Sequence, residues 1–494
     1  MEYISTRSKI TATDTAAVLQ GIAPDGGLYI DPALKTRPFD WQACLKLNAL
    51  EMAEMILSHL LPGFENMGKL VSKAYKGKFA SDELTPVVQV GDDYILELFH
   101  GPTCAFKDVA LSMLPQLINA GRKQEGINDK IVILTATSGD TGKAALEGFH
   151  DVEGTGIIVF YPDEGVSPVQ KAQMVTQSGG NVCVCAVKGN FDDCQRGVKE
   201  AFAKINSGSY LEGKALRLSS ANSINIGRLA PQVVYYFIAY AELLKKGRIS
   251  LGDKVDYSVP TGNFGDILAG VFAKLMGLPV GKLICASNAN NVLTDFINTG
   301  VYDRRRDFHK TTSPSMDILV SSNLERLLYI VSGGDDALVS RLMNELKEQG
   351  FYKLEGQPIE MIQKCFAAFC CDEENTGKTI ARVWQQHHYL CDPHTAVGIY
   401  AAEEYKKSDS SNPMVILSTA SPYKFPAAVL KAIGGDLDGD EFKQSETLEK
   451  LSAVPMPKAL SGLREKEVLH KDVIDRSQIL DYVLNKLYEA VEAQ

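Results

Sequence analysis

Five short runs of this chain combine residue types that could do chemistry together. The first is Glu97-Leu98-Phe99-His100-Gly101-Pro102-Thr103-Cys104-Ala105-Phe106-Lys107-Asp108. Gly-Pro marks a loop, and the residues from Ala105 onward read as a helix start, with Lys107 at the N-terminus beside Phe106. A lysine held there against apolar neighbours has its ammonium form disfavoured. Its neutral amine can then form a Schiff base with an aldehyde cofactor. The plainer alternative is a surface lysine followed by an ordinary first-turn acid.

The second run is Val259-Pro260-Thr261-Gly262-Asn263-Phe264-Gly265-Asp266, between a strand-like Val255–Val259 and a helix-like Ile267–Met276. Gly262 and Gly265 let backbone N–H groups turn towards one point, and the helix N-terminus adds positive potential, so a phosphate dianion fits there. An ordinary glycine turn has the same spelling. It is not a P-loop: no Gly-x-x-x-x-Gly-Lys-Ser/Thr occurs, and before Gly377-Lys378-Thr379 the first glycine is replaced by Asp372.

Ala136-Thr137-Ser138-Gly139-Asp140-Thr141-Gly142-Lys143 crowds hydroxyls and amides at another helix start, which suits a small carboxylate, although Ser, Asp and Thr are also favoured N-caps. In Ser220-Ala221-Asn222-Ser223-Ile224-Asn225-Ile226-Gly227-Arg228, Arg228 could pair bidentately with a second phosphate, or simply sit on the surface. Met414–Leu417 is followed by Ser418-Thr419-Ala420-Ser421-Pro422-Tyr423-Lys424-Phe425-Pro426, where a hydroxyl at a strand end could face a pyridine nitrogen or bond to backbone. His387, His388, Cys391 and His394 lie close together, but Pro393 breaks their helical register, and no metal site is expected from them.

These runs need elements to hold them. From residue 131 short apolar runs alternate with helix-like stretches: Ile131–Thr135, Ile157–Tyr161, Val182–Val187, Val255–Val259, Ile284–Ala286 and Met414–Leu417. That alternation implies βαβ units, a mainly parallel sheet, and ligands beyond the carboxyl ends of the strands. Residues 323–410 read as mostly helical. The tail after Gly435 is charged, carries Pro455 and Pro457, and ends in an amphipathic helix.

At 494 residues, 45% hydrophobic and 23% charged, the chain is globular and of two or three domains. Its net charge of −10 makes a nucleic-acid partner a poor expectation, and Arg304-Arg305-Arg306 reads as a solvated loop. The start lacks the apolar core of a signal peptide, and no run reaches the 18 or so apolar residues of a membrane span. Ten scattered cysteines without a Cys-x-x-Cys pair point to reduced thiols in a cytoplasmic protein.

Taken in order, the five runs resemble the fold-type II pyridoxal-phosphate enzymes, and among them the threonine synthase family. Gly21-Ile22-Ala23-Pro24-Asp25-Gly26-Gly27-Leu28-Tyr29 resembles that family's N-terminal region, and the likeness extends over about residues 5–435. One departure is visible: relatives often carry Thr-Ala-His-Pro-Ala-Lys-Phe where this chain has Ser421 and Tyr423. The resemblance implies an α/β fold with a parallel-sheet large domain (94–130 and 226–435), a smaller α/β domain (131–225), an N-terminal domain (1–93) and a C-terminal extension (436–494).

It also implies roles for the residues. Lys107 would carry pyridoxal 5′-phosphate. Gly262, Asn263, Phe264 and Asp266 would hold or border the cofactor phosphate, and Thr419 would meet the pyridine nitrogen. Ser138 and Thr141 would lie at the substrate carboxylate, and Ser223, Asn225 and Arg228 near the substrate phosphate. The implied reaction converts O-phospho-L-homoserine and water to L-threonine and phosphate, in a monomer or homodimer. Rival readings are a phospho-lyase releasing 2-oxobutyrate, a serine or threonine dehydratase, and a non-catalytic cofactor-binding protein. Intact Lys107 speaks against the last.

Overall fold

Val255–Pro260, Met414–Ser418 and Thr155–Pro162 are buried at every position. Apolar runs without polar alternation make strands that helices cover on both faces. The computed structural model, which describes residues 2–409 and 411–492, places the first two at the centre of a six-stranded sheet. Its order is Phe366–Cys370, Val280–Ser287, Val255–Pro260, Met414–Ser418, Asp93–Glu97, Val87–Val90. Neighbours run parallel except for the last two, which form a hairpin.

Thr155–Pro162 is the middle strand of a five-stranded, all-parallel sheet ordered Val473–Asp475, Val182–Lys188, Thr155–Pro162, Lys130–Ala136, Leu216–Ser219. Near the N-terminus, Thr11–Thr13, Glu2–Ser5 and Tyr29–Ile30 form a small antiparallel sheet. The molecule is an α/β protein built on two parallel sheets.

Each strand expected from the sequence is present, one to five residues longer. The stretch from 323 to 410 is mostly helical, as read, with five helices. It also holds Phe351–Lys353 and Phe366–Cys370, which the sequence did not announce; the second is an edge of the large sheet. Five residues with two alanines between helices carry too little β signal to be read alone. The hairpin Val87–Glu97 belongs to the large sheet and spans residue 93. The tail adds Val473–Asp475 to the small sheet, and Ile479, Val483 and Leu487 of helix Ile479–Glu492 join the core around Val198 and Ile205.

The helix Lys107–Gln124 packs against helix Asp140–Phe149 and is buried from Lys107 to Ile118. Pro115 has no N–H to offer the Leu111 carbonyl one turn back. That carbonyl lies against Gly148 of helix Asp140–Phe149, so close that a Cβ at 148 would sit 1.9 Å from it. Gly148 therefore sets how near the two helices approach, and with it the spacing of their first turns, where Lys107 and Asp140 stand.

Gly148→Ala must push these helices apart, a misfit of the kind that costs about 1–3 kcal/mol. Its melting temperature should fall by several degrees in a thermal scan. Gly377→Ala, on helix Glu373–His387 where nothing lies within 4 Å, should leave it unchanged or raise it. Equal melting of the Gly148 variant and wild type would refute the close-approach account.

Candidate active site

The loop before Lys107 is folded back on its own helix. Asp108 accepts hydrogen bonds from the Thr103 amide (2.8 Å) and Thr103 hydroxyl (2.5 Å). Burial pushes Asp108 up to about 6, against those bonds. From the other side, the Phe106 amide donates to the Thr419 carbonyl at 2.9 Å, and Ala105 bridges to Ala420. The run ending at Phe425 is thus stitched to the run holding Lys107.

Lys107 is 9% exposed, and its Nζ stands 3.0 Å from Ser315 Oγ, 3.8 Å from Asp140 Oδ2 and 5.0 Å from the centre of the Phe106 ring. Burial lowers its pKa from the ordinary value. Asp140 opposes that, Lys424 and Arg228 add to it, and Asp266 opposes it weakly. The nucleophile expected from the sequence is therefore buried, and burial makes it easier to deprotonate.

Asp140 is shared. Lys424 Nζ lies 2.7 Å from its Oδ1 and also donates to the Thr103 carbonyl at 3.0 Å. Gln170 Nε2 donates to the same Asp140 oxygen at 2.9 Å. Burial alone would raise the Asp140 carboxyl, but Lys424 and Lys107 outweigh it and hold the group well below the ordinary range. Asp140 and Lys424 lie inside runs read from the sequence, yet neither was singled out. Their pairing is a long-range fact that no spacing announces.

In the Thr261–Asp266 loop, Phe264 adopts φ 64° at the cap of helix Gly265–Leu275, and its ring packs on Phe366. Only its backbone can face a ligand. Asn263 is exposed, and Asp266 is buried, with burial pushing it up to about 7. Gly262 is tight for a different reason from the one its sequence suggests: a Cβ there would meet the Ser315 carbonyl at 2.5 Å.

Asn323 joins this loop to the Ser223 segment, donating to both the Asn263 and Ser223 carbonyls at 3.1 Å. Asn225 caps helix Ile226–Leu229 and ties it to the N-terminal region, accepting from the Gly227 amide (2.8 Å) and donating to the Val18 carbonyl (2.9 Å). These two bonds fix Asn225 beside Arg228 and leave its second N–H unused.

Arg228 is 5% exposed, and Nη1 donates to the Ala221 carbonyl at 2.8 Å. Its Nε is buried without a partner, no carboxylate pairs with it among the described residues, and burial lowers its pKa to about 10. At the Asp140 helix the Thr137 hydroxyl takes the Gly139 and Gly142 amides. The hydroxyls of Ser138 (exposed), Thr141 (half-buried) and Thr419 (buried) bond to nothing among the described residues.

Three family models cover the chain: "Threonine synthase N terminus" over residues 2–75, "Pyridoxal-phosphate dependent enzyme" over 85–420 and "Threonine synthase, C-terminal" over 395–482. The threonine synthase of Pseudomonas aeruginosa is 42% identical over 438 residues, 87% of this chain and 90% of its own. The chain belongs to the threonine synthase family.

A crystal structure of pyridoxal-phosphate-bound threonine synthase from Brucella melitensis superposes with a TM-score of 0.88 at 37% identity, covering 99% of both chains. Human threonine synthase-like 1 is 41% identical over 432 residues, which are 84% of this chain but 57% of that longer protein. Pyridoxal phosphate is the cofactor.

The residues present fit it. There is a buried lysine with lowered pKa, the backbone next to it is bonded to Thr419, whose hydroxyl is unbonded among the described residues, and a glycine-bearing loop opens a helix N-terminus. Where the family often carries histidine and alanine, Ser421 here caps the one-turn helix Pro422–Lys424, and the Tyr423 hydroxyl reaches the Val454 carbonyl. Both substitutions are absorbed by local structure, and Thr419 and Lys424 keep their places.

Among the described residues no group of three or more His, Cys, Asp or Glu side chains could hold a metal. His394 points instead to Asp392. Borohydride trapping of the purified protein followed by peptide mapping should find the cofactor on Lys107, and label on another lysine would overturn the assignment. Gly262→Val should displace Ser315 and reduce cofactor occupancy, read as the ratio of cofactor absorbance to protein.

Proposed function

We propose that this protein makes L-threonine and phosphate from O-phospho-L-homoserine and water. The observation that carries the reading is Arg228: a buried guanidinium with a bare Nε and no carboxylate partner, close enough to Lys107 to act on its charge. Burying a cation is costly unless it is paired. A substrate phosphate supplies the missing partner, and this second anion site is additional to the one at the Gly262–Gly265 loop. A dehydratase of serine or threonine has no use for it.

Bound at Lys107, pyridoxal phosphate supplies the electron sink that makes protons at Cα and then Cβ removable. The chain's residues do the rest. The Lys107 amine takes the Cα proton and returns it at the end, its lowered pKa favouring the base form. The Ser138 and Thr141 hydroxyls, at the start of the Asp140 helix, hold the substrate carboxylate. Arg228, with Ser223, holds the phosphate as it leaves Cγ; the proton taken from Cβ is delivered to Cγ, which becomes the methyl, and the hydroxyl of water adds at Cβ while its proton goes to the phosphate. The Thr419 hydroxyl faces the pyridine nitrogen as a neutral partner. Asp266, pushed up to about 7, borders the cofactor phosphate partly protonated and so repels it less than an ordinary carboxylate.

We take residues 131–225 as the substrate domain, 94–130 and 226–435 as the cofactor domain, 1–93 as the N-terminal domain and 436–494 as an extension, with Val87–Val90 and Val473–Asp475 lending strands across those bounds. Cytoplasmic placement, as a monomer or homodimer, accords with the free cysteines and with the lack, among the described residues, of any helix long and apolar enough to cross a membrane.

Purified protein given O-phosphohomoserine should release threonine and phosphate in equal amounts. Release of 2-oxobutyrate instead would replace the reading with the phospho-lyase one. Arg228→Ala should lower kcat/KM about 10²-fold or more, because a charge-assisted bond is worth several kcal/mol, while the cofactor stays bound. Arg228→Lys should recover only part of the loss, since an ammonium cannot reproduce the guanidinium fork. Wild-type kcat/KM in Arg228→Ala would move the phosphate site elsewhere.

A further inference from the structure

The hydroxyl 3.0 Å from Lys107 Nζ belongs to Ser315, on the one-turn helix Pro314–Met316, a segment far in sequence from every run described above. That short turn is held from behind. The Ser315 amide donates to His394 Nε2 at 3.2 Å. An amide can only donate, so Nε2 carries the lone pair and the ring proton sits on Nδ1. Nδ1 donates to Asp392 Oδ2 at 2.6 Å.

Asp392 and His394 are 0% and 1% exposed, and the ring packs on Phe425 with centroids 4.9 Å apart. Asp392 is fixed in turn as the cap of helix Pro393–Lys406, accepting from the His394 and Thr395 amides, both at 3.0 Å. A buried carboxylate that orients an imidazole by its Nδ1 proton leaves Nε2 aimed at one place. Here that place is the backbone of Ser315. Through Thr395, whose hydroxyl lies 2.8 Å from Ser418 Oγ, the same Asp392 also steadies the strand end next to Thr419.

We propose that Ser315 is a further catalytic residue, its hydroxyl accepting from the free Lys107 amine and holding it in line to attack the cofactor and to exchange protons with substrate. Asp392 and His394 are positioning residues that act through Ser315. The proposal deepens the threonine synthase reading and rests on it for the proton exchange, but not for the contact with Lys107.

A hydrogen bond from an ammonium stabilises the protonated lysine, so its removal lowers the Lys107 pKa. The other groups that face the amine, Asp140, Lys424, Arg228 and Asp266, are unchanged by substitution at 315. The test uses the full-length chain, stripped of cofactor and mixed with pyridoxal phosphate in a stopped-flow spectrometer across pH. In Ser315→Ala the midpoint of cofactor capture should move down by about one pH unit or more, and the plateau rate should fall about tenfold.

In the loaded enzyme kcat should fall about 10- to 100-fold with KM for O-phosphohomoserine within about threefold. Ser315→Thr, which keeps the hydroxyl, should restore both. His394→Phe keeps the ring volume, should shift the capture midpoint in the same direction, and should add nothing when combined with Ser315→Ala. An unchanged midpoint and kcat in Ser315→Ala overturn the role of Ser315, even if threonine is still made. A further shift in the double variant overturns the claim that His394 acts through it. Should His394→Phe fail to fold, the alanine and threonine variants still decide the first point. Loss of threonine formation in wild type, with the capture profile as predicted, would instead fault the reaction assigned above.

Discussion

Three cations, Lys107, Lys424 and Arg228, are buried together, and the charge available to offset them is small. Asp140 lies 2.7 Å from Lys424 and 3.8 Å from Lys107. At such separations an ion pair in a protein is worth about 4 kcal/mol, while removing each ion from water costs several. Pairing therefore roughly offsets burial for Lys424 and Asp140. It leaves Lys107 poorly compensated and Arg228 not at all. A poorly compensated lysine gives up its proton, and an uncompensated arginine, which cannot, recruits an anion. The proposed nucleophile and the proposed phosphate site both follow from one shortage of negative charge.

Such a cluster holds its shape only if the elements around it are fixed, and the N-terminal region does much of that work. The Val18 carbonyl takes Asn225, and the Tyr29 carbonyl takes Arg326 Nε at 2.9 Å. Arg326, fully buried, then donates to Asn323 Oδ1 and to the Ile224 carbonyl. Asn323 bonds both the Ser223 and Asn263 carbonyls. Helix Asp14–Gln20 and strand Tyr29–Ile30 thus brace the segment bearing Arg228 and, through Asn323, the Gly262–Asp266 loop. Removing them would spare both larger sheets and leave the proposed anion sites unbraced.

The sequence was most readable where chemistry and local structure share a signal. Gly-Pro before Lys107, glycines at 262 and 265 and hydroxyls at 138 and 141 mark turns as well as candidate sites, so the strands and the helix starts could be read before any coordinates, and Arg228 could be singled out as a candidate. Asn225 shows the limit: a cap and a ligand group look the same in sequence, and the bonds it makes to the Val18 carbonyl and the Gly227 amide could not be read there. Ser315 shows another. It lies in a short irregular turn, and its importance comes from Lys107 and His394, 208 and 79 residues away. His394 drew notice only as one member of a histidine group, because a chain of letters shows which residues are near in sequence and not which nitrogen faces which amide. The edge strand Phe366–Cys370 escaped for a related reason: its identity as a strand depends on Val280–Ser287 beside it.

The unequal sharing of Asp140 bears on how one lysine can change charge repeatedly in a dry place. Were Asp140 the sole partner of Lys107, each loss of the lysine's proton would strand a buried carboxylate, and the lysine would resist deprotonation. Lys424 and Gln170 hold Asp140 whichever state Lys107 is in. The carboxylate keeps two hydrogen-bonding partners, and its pull on Lys107 at 3.8 Å is a moderate one. Lys424 is anchored in turn on the Thr103 carbonyl, in the loop that Asp108 ties to the Lys107 helix. The position of Asp140 is thus kept by bonds that do not involve the Lys107 proton, so the carboxylate need not move when that proton does.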